Sequence, residues 1–146
     1  MIQAASADQA ALLASLHARS FDKGWNANDV SKLMANPAVF AVVSEENGEP
    51  HGFAMAWTAA GDSELLTVAV VPEARRRGVG GALVQAAAAH VLARGAVSMN
   101  LEVAEDNAAA RTLYEKLGFA QSGRRPAYYA TSNGFVDAIM MRLALA

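Results

Sequence analysis

Apolar residues recur along this chain with two different periods, and the change of period marks its elements. Near the start, Leu12, Leu13 and Leu16 fall on one face of a helix that Ser6 or Asp8 can cap and that runs to about Arg19. A second short helix is expected over residues 28–35, stopped by Asn36-Pro37. Residues 39–44 read as a strand, Asn47-Gly48 as a hairpin turn and residues 52–58 as the returning strand. After a turn at Gly61-Asp62, residues 64–71 are almost wholly apolar, the pattern of a central strand covered on both faces.

Pro72 ends that strand, and Arg75-Arg76-Arg77-Gly78-Val79-Gly80-Gly81 opens a long helix that reaches Arg94, with Gly95 as its stop. Residues 97–103 then alternate, with Val97, Met99, Leu101 and Val103 on one face and Ser98, Asn100 and Glu102 on the other. Asp106 or Asn107 caps a further helix with Ala110, Leu113, Tyr114 and Leu117 on its apolar side, ending at Gly118. Residues 119–121 and a hairpin around Asn133-Gly134 close the chain. Helices, an antiparallel meander, a strand–helix–strand–helix unit and a hairpin add up to a mixed sheet with helices on both faces, an α/β (α+β) class.

Composition narrows what this fold can do. The chain has 146 residues, the size of one common domain, and shows no repeat or linker, so residues 1–146 are expected to form a single domain. It has no cysteine, which excludes a disulfide scaffold, a thiolate metal site and a cysteine nucleophile. His17, His51 and His90 lack ligand spacing, so no metal is expected. A net charge of −2 argues against a surface built for nucleic acid or anionic membrane. No signal-peptide pattern opens the chain, and the longest apolar stretch, residues 78–93, is interrupted by Gln85 and His90. A cytoplasmic protein is expected.

Four places could carry chemistry. The glycine-rich turn after the central strand brings backbone N–H groups, a helix N-terminus and arginine charge to one point, which describes a phosphate or pyrophosphate site. It is neither a Walker loop nor a dinucleotide fingerprint, and the plainer reading is a helix start behind a solvated arginine run. Glu102 could accept a proton, or simply be a polar residue on a solvated face. Asn107 is a natural N-cap, and Tyr114, two helical turns on, could donate a proton or just pack. Tyr128 and Tyr129, adjacent on a strand, point to opposite faces, so one is expected to be exposed, lining a groove or merely following β-propensity.

Together these segments resemble the GNAT superfamily of N-acetyltransferases over nearly the whole chain. Arg75-Arg76-Arg77-Gly78-Val79-Gly80 is similar to its Q/R-x-x-G-x-G/A pyrophosphate loop, and residues 66–72 to the strand before it. Leu101-Glu102-Val103, Asn107-Ala108-Ala109-Ala110, residues 113–119, Arg124-Arg125, Tyr128-Tyr129 and residues 137–141 resemble the RimI-type branch, which acetylates the N-terminal alanine of a ribosomal protein, and its relatives that act on protein N-termini. The resemblance implies a mostly antiparallel mixed sheet of six to seven strands flanked by about four helices. It implies acetyl-CoA as cosubstrate, with Val68, Ala69 and Val70 offering backbone groups to the pantetheine and acetyl carbonyl. Arg76, Arg77, Gly78, Val79, Gly80 and Gly81 would hold the pyrophosphate, and Asn107 would contact the coenzyme. Glu102 would be the general base and Tyr114 the general acid, with Tyr128, Tyr129 and the Trp25 loop on the acceptor side.

Two departures bear on the acceptor and not on the coenzyme. Ala104 and Asp106 stand where the family usually has arginine and serine, and Gly24-Trp25-Asn26 where it often has proline-tryptophan-serine. The expected activity is acetyl transfer to a protein α-amine. A small-molecule amine acetyltransferase on the same fold and a non-catalytic coenzyme A-binding regulatory domain are the alternatives.

Overall fold

The computed structural model describes residues 1–21 and 24–145. Seven strands form one sheet: β1 (Ile2–Ala4), β2 (Val39–Glu46), β3 (Glu49–Ala59), β4 (Asp62–Val70), β5 (Ser98–Ala104), β6 (Ala120–Thr131) and β7 (Gly134–Ala144), in the order β1-β2-β3-β4-β5-β7-β6. Only the β4–β5 pair is parallel; the other neighbours are antiparallel. The four α-helices are α1 (Ala10–Ser20), α2 (Ala27–Met34), α3 (Val79–Ala93) and α4 (Ala108–Lys116). This is the mixed sheet that the pattern of elements predicts, with the mostly antiparallel pairing that the resemblance implies.

The sheet has a core on each face. On one, α3 and α4 cover Phe40, Val42, Ala54, Leu65, Met99, Leu101, Val103, Ile139 and Met141. On the other, α1 and α2 cover Ala41, Val43, Phe53, Met55 and Ala69. No described residue of β5, β6 or β7 belongs to this second cluster, so α1 and α2 shelter only half of their face. Among the described residues, no helix is long and apolar enough to cross a membrane.

Several expectations are corrected. The first helix buries Leu13 and Leu16 together with Ala10, Ala14 and His17, while Leu12 is only partly buried. The second helix starts one residue early because Asn26 caps it, its side chain accepting the Asp29 N–H at 2.8 Å. Val97 lies before β5 and is 56% exposed, so it is not part of the buried face. The short segment expected at residues 119–121 is the beginning of a twelve-residue strand. The three-residue β1 has too little pattern to be seen in sequence; it pairs with β2 from Ile2–Ser44 to Ala4–Val42.

Candidate active site

The site begins where β4 and β5 separate. The two strands pair at Glu64–Asn100, and no further rung joins them among the described residues. A bulge in β4 accounts for the parting. Against β3, Thr67 pairs with Met55 and Leu65 with Ala56, which leaves Leu66 as an extra residue and bends the strand. Past that bend, Val68, Ala69 and Val70 pair with Ala54, Phe53 and Gly52 on the β3 side only. In an antiparallel ladder alternate backbone groups point away from the partner, so this stretch offers unpaired N–H and C=O groups to the opening wedge. Val68 and Val70 are half-buried for the same reason, whereas the sequence pattern called for full cover.

A polar cluster pins the closed end of the wedge. Asp62 Oδ1 accepts from Ser98 Oγ at 2.5 Å and Asn100 Nδ2 at 2.9 Å, and its Oδ2 accepts from Arg142 Nη1 at 3.3 Å. Ser63 Oγ donates to the Ser98 carbonyl at 2.7 Å. These bonds join β4, β5 and β7, and the Ser98 hydroxyl chiefly holds the Asp62 acid below its ordinary range. Sequence reading missed this cluster, because its members are scattered across 80 residues.

The wide end of the wedge meets the glycine-rich turn. Gly78 caps α3 in the left-handed conformation, φ +78°, and Arg76 also has positive φ, +64°. The first intrahelical bond runs from the Ala82 N–H to the Gly78 carbonyl, so the N–H groups of Val79, Gly80 and Gly81 have no helical acceptor. Three outward N–H groups at the positive end of a fifteen-residue helix form an anion cradle. The glycines act for different reasons. A Cβ at Gly78 would meet nothing, so its backbone angle demands glycine, while a Cβ at Gly80 would lie 3.5 Å from Leu113 and 3.8 Å from Val70. The arginines also divide. Arg75 bonds the carbonyls of Val70 and Ser20 and is structural. Arg77 pairs with Glu46 at 3.5 Å, and Arg76 is exposed with no partner among the described residues.

Glu102 and Tyr114 stand on opposite faces of β5. Met99, Leu101 and Val103 face α3 and α4, which turns Glu102 to the uncovered face. Tyr114 packs into the α3–α4 core, edge-on to Phe119 at 5.7 Å, and burial raises its phenol above the usual value. No described bond or ring contact joins the two side chains. Asn107 caps α4, its Oδ1 accepting the Ala110 N–H at 3.2 Å, which leaves its amide N–H groups available.

Around Glu102 the structure adds Arg125, a residue to which the sequence pattern assigns no role. Arg125 Nε lies 2.9 Å from Glu102 Oε1, and its guanidinium sits 5.5 Å over the Tyr128 ring. Tyr128 is 53% exposed and stands edge-on to the half-buried Tyr129 at 5.1 Å. Burial, and then the charge of Glu102, raise the Tyr129 phenol. Glu102, Arg125, Tyr128 and Tyr129 thus form one cluster on the open face; the two tyrosines do not part to opposite faces as strand alternation predicts, because β6 leaves register between Arg125 and Tyr129. Trp25 does not join it through any described bond, ion pair or ring contact. It stacks on buried His17 at 4.4 Å, and its backbone N–H donates to His17 Nδ1 at 3.1 Å. It also lines an open cavity of about 410 Å³ with Asp29, Lys32, Leu33 and Asn36. The glycine before it is tightly held, since a Cβ at Gly24 would sit 2.6 Å from Ala18 Cα.

Comparison with known proteins agrees with this geometry. The profile of the acetyltransferase (GNAT) family matches residues 10–119. The [ribosomal protein bS18]-alanine N-acetyltransferase of Escherichia coli K12 is 38% identical over 100 residues, 68% of each chain. The crystal structure of the Escherichia coli ribosomal-protein-S18-alanine N-acetyltransferase superposes with a TM-score of 0.93 at 28% identity, covering 100% of this chain and 94% of that one. The fold is also that of Arabidopsis thaliana NAA60 in complex with acetyl-CoA, TM-score 0.82 at 16% identity, with 99% of this chain and 98% of that one covered. The chain belongs to the acetyltransferase (GNAT) family and is an N-acetyltransferase.

Proposed function

We propose that this enzyme transfers acetyl from acetyl-CoA directly to a protein N-terminal α-amine, with the N-terminal alanine of a ribosomal protein as the favoured acceptor. The observation that carries the reading is the position of Glu102, on the open face of β5 beside a wedge whose wide end is an anion cradle. The relatives named for alanine acetylation of a ribosomal protein support the choice of acceptor. The whole of residues 1–146 acts as one domain, and an acceptor made at the ribosome places the enzyme in the cytoplasm.

In this mechanism the pyrophosphate rests on the N–H groups of Val79, Gly80 and Gly81, with Arg76 and Arg77 adding charge. The pantetheine extends along Val68, Ala69 and Val70, and Asn107 contacts the coenzyme from the other wall. A backbone N–H of β4 polarises the thioester carbonyl. The neutral amine attacks the carbonyl carbon, the C–S bond breaks, and the amine proton passes to Glu102 directly or through water. Tyr114, kept protonated by burial, donates to the departing sulfur. Tyr128 and Tyr129 hold the acceptor backbone beside Glu102, and Trp25 orders the neighbouring loop. No step calls for a metal, a nucleic acid or a membrane.

The energetics favour α-amines. With a pKa near ~8, an α-amine costs about 1 kcal/mol to reach its neutral form at neutral pH, whereas a lysine near ~10.4 costs roughly 4–5 kcal/mol. One carboxylate suffices for the first and is strained for the second. The test is acetyl transfer to peptides that differ only in their first residue, read by mass spectrometry. Alanine should lead. Transfer to small amines with no peptide modified would instead support the small-molecule reading; the departures at Ala104, Asp106 and the Trp25 loop leave the acceptor's identity to this test.

A further inference from the structure

Arg124 and Arg125 are neighbours on β6, yet their side chains leave the strand on opposite faces. Arg125 reaches Glu102 on the open face. Arg124 turns to the helix face, where Nη1 donates to Asp137 Oδ2 at 2.6 Å and pairs with Glu105 Oε2 at 3.0 Å. The other oxygen, Asp137 Oδ1, accepts the Ala127 N–H at 2.8 Å. The Asp137 carbonyl accepts the Glu105 N–H at 2.9 Å, so this residue also holds the turn that leads from β5 into α4.

The Ala127 bond falls where β6 leaves register. Arg125 pairs with Ala138 and Tyr129 with Val136, so Pro126, Ala127 and Tyr128 all stand opposite Asp137. Pro126 has no N–H to give the ladder, and Ala127 has φ +51°, a conformation that alanine rarely holds unaided. The bulge is therefore not self-sustaining, and the Asp137 carboxylate is what engages its backbone. The same bulge fixes the spacing between Arg125 and Tyr129, the two residues that flank Glu102.

We propose that Asp137 is a positioning residue for the acceptor. Its two carboxylate oxygens lock Arg124 and the Ala127 bulge together, and that lock sets where Arg125, Tyr128 and Tyr129 stand around Glu102. The Asp137 carboxylate, the group the substitutions change, touches neither the wedge nor the anion cradle, and its backbone carbonyl keeps the Glu105 bond in every variant, so the effect falls on the acceptor and leaves the coenzyme alone. This inference rests on reading the Glu102 face as the acceptor site.

The test compares wild type with Asp137→Ala, Asp137→Asn and Arg124→Gln in steady-state transfer to an alanine-starting peptide, together with hydrogen exchange at the Ala127 amide. D137A should raise the peptide KM by about tenfold, the loss expected for removing a hydrogen-bonded charge, with the acetyl-CoA KM unchanged. D137N keeps an oxygen for Ala127 and should recover part of the loss, and R124Q should fall between D137N and wild type. Ala127 exchange should quicken in D137A and less so in D137N. The unchanged acetyl-CoA KM shows that each variant is folded. A peptide KM in D137A equal to wild type, or an acetyl-CoA KM that rises in parallel, overturns the proposal. If wild type acetylates no peptide, the acceptor reading falls, and the Ala127 amide decides the lock: faster exchange in D137A upholds it, and unaltered exchange overturns it.

Discussion

Glu102 owes its place to its neighbours in sequence. Burial of Leu101 and Val103 against α3 and α4 turns the residue between them to the opposite face, where no described residue of β5 joins the core under α1 and α2. Tyr114 owes its place to helical spacing, which puts it with Ala110 and Leu117 on the face of α4 that packs into the core. Removing either group should lower turnover without disturbing the coenzyme. Glu102→Gln and Tyr114→Phe should each cut kcat by about 10²-fold or more, with acetyl-CoA affinity retained, as followed by release of free thiol. Full activity in both variants would show that base and acid lie elsewhere. Gly80→Glu should act in the opposite way. The new side chain must grow toward Leu113 and Val70 and carries a negative charge beside the α3 N-terminus, so acetyl-CoA binding, measured by calorimetry, should be lost. Unchanged affinity in that variant would remove the anion cradle from the account.

Among the elements, the decisive one is the pair β4 and β5, held together at one end and open at the other. The bulge at Leu66 bends β4 away, and the cluster of Asp62, Ser98, Asn100 and Arg142 keeps the strands from parting altogether. Asp62→Ala should cost about 1–2 kcal/mol of stability, at the lower end for hydrogen-bonded charges because the side chain is 46% exposed, and should lower Tm by a few degrees. The pH dependence has a definite sign. The Asp62 acid is held below its ordinary value in the fold, so its ionised form stabilises the protein above the unfolded carboxyl pKa of ~3.9, and that stability is lost as pH falls through the lower folded value. The wild-type and D62A melting temperatures should converge under acid conditions. A gap that persists there would mean that the cluster contributes through packing and not through charge.

On the scale of the whole molecule, one sheet presents two different faces, one packed by α3 and α4 and the other only half sheltered by α1 and α2, and the proposed mechanism gives the first to the coenzyme and the open half of the second to the acceptor. Most of this is legible in the sequence wherever the signal is local. Periodicity gives β2 to β5 and the four helices, the Gly78 turn marks the helix N-terminus on which the proposed anion site rests, and alternation places Glu102. What the sequence hides is non-local. The Asp62 cluster and the Glu102–Arg125 pair join residues far apart in the chain, so no spacing rule reveals them. The Leu66 and Ala127 irregularities depend on the register of neighbouring strands, which a single strand does not specify. Trp25 is expected beside the acceptor; the contacts that hold it are with His17, and periodicity does not reveal that pairing.

The central claim, direct transfer to an α-amine by a carboxylate on the open face, is tested most directly with one peptide. It starts with alanine, contains an internal lysine, and is offered with its N-terminus free or blocked, with kcat/KM measured for each form and the modified nitrogen identified by mass spectrometry. The account predicts acetylation at the α-nitrogen alone and near-complete loss of transfer when that nitrogen is blocked. Equal transfer to the lysine of the blocked peptide would contradict it.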